Sequence, residues 1–90
     1  MQVTRVTADA LVRTGAGKLH TISIAPTTGA HTAGLITVYD NTAESGTAIY
    51  SEWVFAGMHG HSIHLDCDVQ VGIYVGYTTV DNVAVSVTHR

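Results

Sequence analysis

The residues best equipped for chemistry crowd into one stretch of this chain, Gly57-Met58-His59-Gly60-His61-Ser62-Ile63-His64-Leu65-Asp66-Cys67-Asp68. Imidazole nitrogens and carboxylate oxygens both carry lone pairs that a divalent cation accepts. On extended backbone the side chains alternate, so His59 and His61 share one side while His64, Asp66 and Asp68 line the other. Residues two apart on a strand stand roughly 6–7 Å apart at the backbone. Three such side chains meet at one ion only if the strand curves. A metal held by one chain, a metal shared by subunits on a symmetry axis, and plain hydrogen bonding along and across strands are the readings open to this segment. The last needs no special geometry, and no metal or other cofactor is expected.

Hydrolytic chemistry has less to stand on. Ser62 beside His61, with Asp66 close by, supplies the residue types of a nucleophile, a base and an orienting carboxylate. Neighbours on a strand point to opposite sides, so His61 cannot take a proton from Ser62. Gly15-Ala16-Gly17 precedes a strand-like run, lacks the Lys-Ser/Thr of a phosphate loop, and reads as a turn. The single cysteine, Cys67, shares the parity of Ile63, Leu65, Val69 and Val71 and is expected as a buried, inert thiol, with an intermolecular disulfide, which no motif supports, as the alternative. The chain is expected not to be an enzyme.

The elements that position these residues are strands. Apolar residues recur at every second place in Ile63-His64-Leu65-Asp66-Cys67, in Val69 through Val75 and in Val83-Ala84-Val85-Ser86-Val87. The chain holds 12 Val and 13 Thr but one Pro, a composition suited to pleated sheets. Strands are expected near 2–7, 10–14, 18–25, 33–40, 47–56, 60–67, 69–77 and 82–89, with the first two runs alternatively forming one bent strand. That spacing predicts one all-β domain over 1–90: a small antiparallel β-sandwich, eight-stranded and jelly-roll-like. Turns are expected at Pro26–Thr32, Asp40–Gly46 and Asp81-Asn82. Apolar parity runs unbroken from Ile63 to Val75, too long for one strand of so small a sheet, so a bend or tight reversal is expected around Asp66-Cys67-Asp68-Val69.

Size and charge narrow the functional classes. A domain of 90 residues buries roughly 60–65% of its extended surface, a thin core that oligomerisation would reinforce. The net charge is -3 and the four cations Arg5, Arg13, Lys18 and Arg90 form no run, which argues against nucleic acid as a partner. No apolar run reaches the ~18 residues of a membrane span, and the opening residues lack the apolar segment of a signal peptide, so folding inside a cell is expected. Aromatics concentrate in Thr47–Phe55, where Ile49, Ser51, Trp53 and Phe55 share one face and Tyr50, Glu52 and Val54 the other. Trp53 reads either as core or core-edge packing or as an interface anchor, and Tyr50 as an interface residue whose hydroxyl stays wet. Gly72 and Gly76 flank Tyr74 on the side opposite Ile73 and Val75, leaving room for a strand, loop or subunit to approach.

Two runs carry a family resemblance: Gly15-Ala16-Gly17-Lys18-Leu19-His20-Thr21-Ile22-Ser23-Ile24, and Leu35-Ile36-Thr37-Val38-Tyr39-Asp40-Asn41-Thr42-Ala43-Glu44-Ser45-Gly46-Thr47. With the closing Asn82-Val83-Ala84-Val85-Ser86-Val87-Thr88-His89-Arg90 they resemble small β-sandwich structural proteins of tailed-bacteriophage virions, of the capsid-decoration or appendage-associated type. The resemblance implies assembly: a capsid decoration or stabilising protein, homotrimeric or otherwise oligomeric, folded in the host cytoplasm and resident on the virion beside another structural protein. Tyr39, Tyr50, Trp53, Tyr74 and His64 are the expected interface residues. A carbohydrate-binding module that stacks sugars on the same aromatics, and a tail or fibre-base protein, are the alternatives.

Overall fold

The computed structural model describes residues 1–26, 33–55, 60–80 and 82–90. Among the described residues, eight strands follow one another: β1 (Gln2–Val6), β2 (Ala10–Thr14), β3 (Gly17–Pro26), β4 (Gly34–Tyr39), β5 (Ala48–Val54), β6 (His61–Val69), β7 (Gly72–Thr78) and β8 (Val83–His89). They form two four-stranded sheets, ordered β1-β8-β3-β6 and β2-β7-β4-β5. Every pairing is antiparallel. The first strand pairs with the last, β2 with β7, β3 with β6 and β4 with β5, a nested order in which one long hairpin is rolled over itself into two layers. This is the jelly-roll arrangement expected from the strand count. The first two runs are separate strands, because the chain crosses from one sheet to the other between Val6 and Ala10.

Period-two alternation places the core. Leu19, Ile22 and Ile24 of β3 and Val83, Val85 and Val87 of β8 are buried against Ile36 and Val38 of β4 and Ile73 and Val75 of β7. Leu19 and Ile22 are three apart and both fully buried, so β3 changes phase between them. The registers with β6 and β8 both shift at that point. An irregularity of this kind re-aims side chains, and it leaves His20 and Thr21 together outside the core. Among the described residues no helix is long and apolar enough to cross a membrane.

Of the bend or reversal expected at Asp66–Val69, the bend is there, at Asp66, but the reversal lies further on. Strand β6 runs on to Val69, which pairs with Gly17, and the turn comes at Gln70 and Val71. The ten residues of β3 hold β6 in pairing over this length, so the local bend at Asp66 (φ 51°) stays within the strand. Val71, expected on the core side, is exposed in the turn as a result. Pro26, expected to open a loop, is the last residue of β3, opposite Val83. The expected turn residues at 27–32 and 81, together with His31 and His59, lie outside the described residues.

The second expected turn is built as its composition suggests. Asn41 Oδ1 accepts the Thr42 N–H at 2.8 Å, Asn41 Nδ2 donates to the Ser45 carbonyl at 2.8 Å, and Gly46 adopts φ +85°. From this turn Asp40 reaches the β6–β7 crossing and accepts the N–H groups of Gln70, Val71 and Gly72. Those bonds, Val71 first and Gln70 next, hold the Asp40 carboxyl below its ordinary value against a smaller opposing effect of burial.

Candidate functional site

The two outer faces of the sandwich differ in character. On the β1-β8-β3-β6 sheet the outward positions are mostly hydroxyl, imidazole and carboxylate groups, with Ser23 and Ser62 hydrogen-bonded across β3 and β6 at 2.8 Å. The only histidine cluster among the described residues lies here. His64 and Asp66 come from β6, and His20 comes from the phase change in β3. Asp66 Oδ2 bonds His64 Nε2 at 2.8 Å, while Asp66 Oδ1 meets His20 Nδ1 in a close contact. The two imidazoles stand edge to face, with ring centroids 4.7 Å apart. Hydrogen bonds from His64 first, and then His20, hold the Asp66 carboxyl below its ordinary value.

This set differs from the His64, Asp66 and Asp68 series drawn from strand periodicity. Asp68 stands opposite Lys18 in the register, outside the cluster, and His20 takes the third place. A partner 46 residues away from Asp66 carries no local signal. His61 faces inward, where its Nε2 lies 2.6 Å from Glu52 Oε2 of the other sheet, while Ser62 faces outward. Serine and imidazole therefore point apart, as extended backbone requires. Cys67 is half-buried on the inner side, and burial is the main cause pushing its thiol above the ordinary range.

The opposite face, on the β2-β7-β4-β5 sheet, carries most of the expected interface residues. Tyr74 sits between Leu11 and Tyr39 in the cross-strand register, and Leu35 sits between Thr78 and Trp53. The room left by glycine is taken by the chain's own turn. A side-chain Cβ at Gly72 would stand 3.1 Å from the Asn41 carbonyl oxygen, and one at Gly76 would stand 2.9 Å from the Glu44 side chain. The 40–46 turn thus crosses the face on both sides of Tyr74, which is half-buried, as is Tyr39. Trp53 and Phe55 remain open at 60% and 56% exposure, so Trp53 is not core packing. Tyr50 and His64 do not join this set.

Tyr50 points between the sheets. Its hydroxyl donates to Glu52 Oε1 in a close contact, and burial first, then Glu52, pushes the phenol up to about 12. Glu52 thereby ties Tyr50 to His61 at the open side of the sandwich, where the edge strands β5 and β6 face each other. Tyr77 fills the corresponding inner position of β7 and donates to the carbonyls of Val6 at 3.2 Å and Val83 at 3.0 Å. These phenols serve the sandwich itself. No protein-family model, curated protein or solved structure matches the chain.

Proposed function

We propose that this chain is a non-enzymatic structural protein of a virion, a capsid decoration or stabilising subunit that docks through the outer face of its β2-β7-β4-β5 sheet. The observation that carries the reading is the exposure of Trp53 and Phe55 at 60% and 56%, beside Leu35 on a rigid two-layer scaffold. Exposed aromatics are the residue type that anchors protein interfaces, because one ring buries a large area for little lost rotamer freedom. The polar opposite face supplies the contrast that a one-sided docking module needs. Jelly rolls occur in viral capsid and lectin domains, which is an analogy of fold and leaves the task to the site. The resemblance to small virion proteins of tailed bacteriophages points the same way.

In this reading the partner is another capsid or virion protein, and self-association, as a trimer or other oligomer, brings several copies of the aromatic face to one assembly. The test is localisation by mass spectrometry and labelling on intact particles, with the solution mass from sedimentation equilibrium. Association that is lost in W53A supports the proposal. A strictly monomeric chain absent from particles overturns it, as does glycan binding by the isolated domain without particle association.

A further inference from the structure

We propose that His20, His64 and Asp66 form a binding site for one divalent transition-metal ion, with zinc the ion their donors suit best. The three groups come from two strands and meet on the outer face of the β1-β8-β3-β6 sheet. Their ligand atoms, one nitrogen from each imidazole and an Asp66 oxygen, all lie within 4.8 Å of one another. Zinc binds imidazole and carboxylate at about 2.0–2.2 Å, and its tetrahedral ligands therefore stand roughly 3.4 Å apart. The side chains reach that spacing by small rotations at the surface with the strands left in place.

Backbone geometry accounts for the convergence. Two residues apart on a straight strand, His64 and Asp66 would run parallel and miss a common point. Asp66 instead adopts φ 51°, a left-handed conformation uncommon outside glycine, which asparagine and aspartate tolerate best. It does so where the β3–β6 register shifts, opposite His20. The result is a carboxylate flanked by two imidazoles, each bonded to a different oxygen.

The donor set selects the class of ion. Two nitrogens and one carboxylate suit zinc and its neighbours, whereas calcium and magnesium require mostly oxygen ligands. Cys67, one residue along, faces the opposite side of the sheet and contributes no sulfur. The His64 side chain is 63% exposed, so a fourth position is open to water. Bound there, the ion would join β6, an edge strand, to β3 and stabilise the folded state by an amount that grows with the logarithm of the free-ion concentration above its dissociation constant. The site is independent of the aromatic face on the other sheet.

The experiment uses the untagged full chain, titrated with zinc chloride by calorimetry and with cobalt(II) by visible absorption. The expected result is saturable binding of one ion per chain, with a cobalt spectrum typical of four or five nitrogen and oxygen ligands and a melting temperature that rises with zinc. H20A, H64A and D66N each weaken binding at least about tenfold, whereas D68N and H61A leave it unchanged. If H20A or H64A unfolds, H20Q and H64Q replace it, since an amide keeps the polarity and loses the imidazole donor. Absence of saturable zinc binding by the wild-type chain overturns the proposal. So does binding that survives D66N and the His20 variant, because the ion would then sit on other histidines.

Discussion

Asp40 and Val71 lie 31 residues apart in the chain, yet the Asp40 Oδ1 accepts the Val71 N–H at 2.9 Å. The bond sits where the chain leaves one sheet for the other, and the N–H groups of Gln70 and Gly72 point at the same carboxylate. Three donors that no strand can satisfy are thereby paired. The turn expected near Asp66 falls at residues 70 and 71 because a carboxylate from the β4–β5 turn is there to receive it.

Replacing Asp40 with alanine should destabilise the fold by about 2 kcal/mol, since hydrogen bonds to a charged group are the stronger kind. The Asp40 carboxyl is held below its ordinary value of 3.8 in the folded state. Its contribution is therefore complete above that value and is lost as the pH falls through the lower folded value. Urea unfolding at pH 7 and on the acid side checks both parts: the gap between wild type and D40A narrows on acidification.

Gly72 and Gly76 should tolerate alanine unequally. A Cβ at Gly72 would meet the backbone carbonyl of Arg13 at 2.5 Å, and neither β2 nor the 40–46 turn can move aside cheaply. At Gly76 the nearest atoms belong to the Glu44 side chain, which can swing into solvent. G72A is expected to cost about 1–3 kcal/mol and G76A less than about 1 kcal/mol. Thermal melts of the two variants rank them.

His89 should make the fold sensitive to mild acid. It is 2% exposed, Nε2 pairs with Thr4 Oγ1 at 3.0 Å, and burial first, then Arg13 and the N-terminal ammonium, lowers its pKa below 6.5. The unfolded chain takes up the proton before the folded one. Stability is therefore complete above 6.5 and declines as the pH falls from there through the lowered folded value. H89L should flatten this part of a stability-against-pH profile, whatever its effect at pH 7.

Core and face should separate in mutagenesis. Ile36 is fully buried, and I36A should cost about 2–5 kcal/mol through lost transfer energy and the cavity left behind. Trp53 is 60% exposed, and W53A should change the stability of the dilute chain by no more than about 0.5 kcal/mol. Under the proposed function the order reverses for assembly, where W53A loses particle association. Denaturation and co-sedimentation, run on both variants, report the two effects independently.

The sequence by itself determined the strands, their parity and the two-layer architecture. Alternation is a local property: the inward set Val83, Val85 and Val87 follows from a period of two and a need to bury methyl groups, whereas β5 carries large apolar groups on both faces and only the packed sheets place Trp53 outward. Only the tertiary structure decided which distant groups meet. Register brought His20 to His64 and Asp66, folded the 40–46 turn over Gly72 and Gly76, set His61 against Glu52 of the other sheet, and set the crossing under Asp40. Register is a choice among pairings of similar local propensity, made by the whole core and by buried backbone groups seeking partners. The histidine-rich segment was legible as chemistry, but its third member, 44 residues upstream of His64, lay beyond any local pattern.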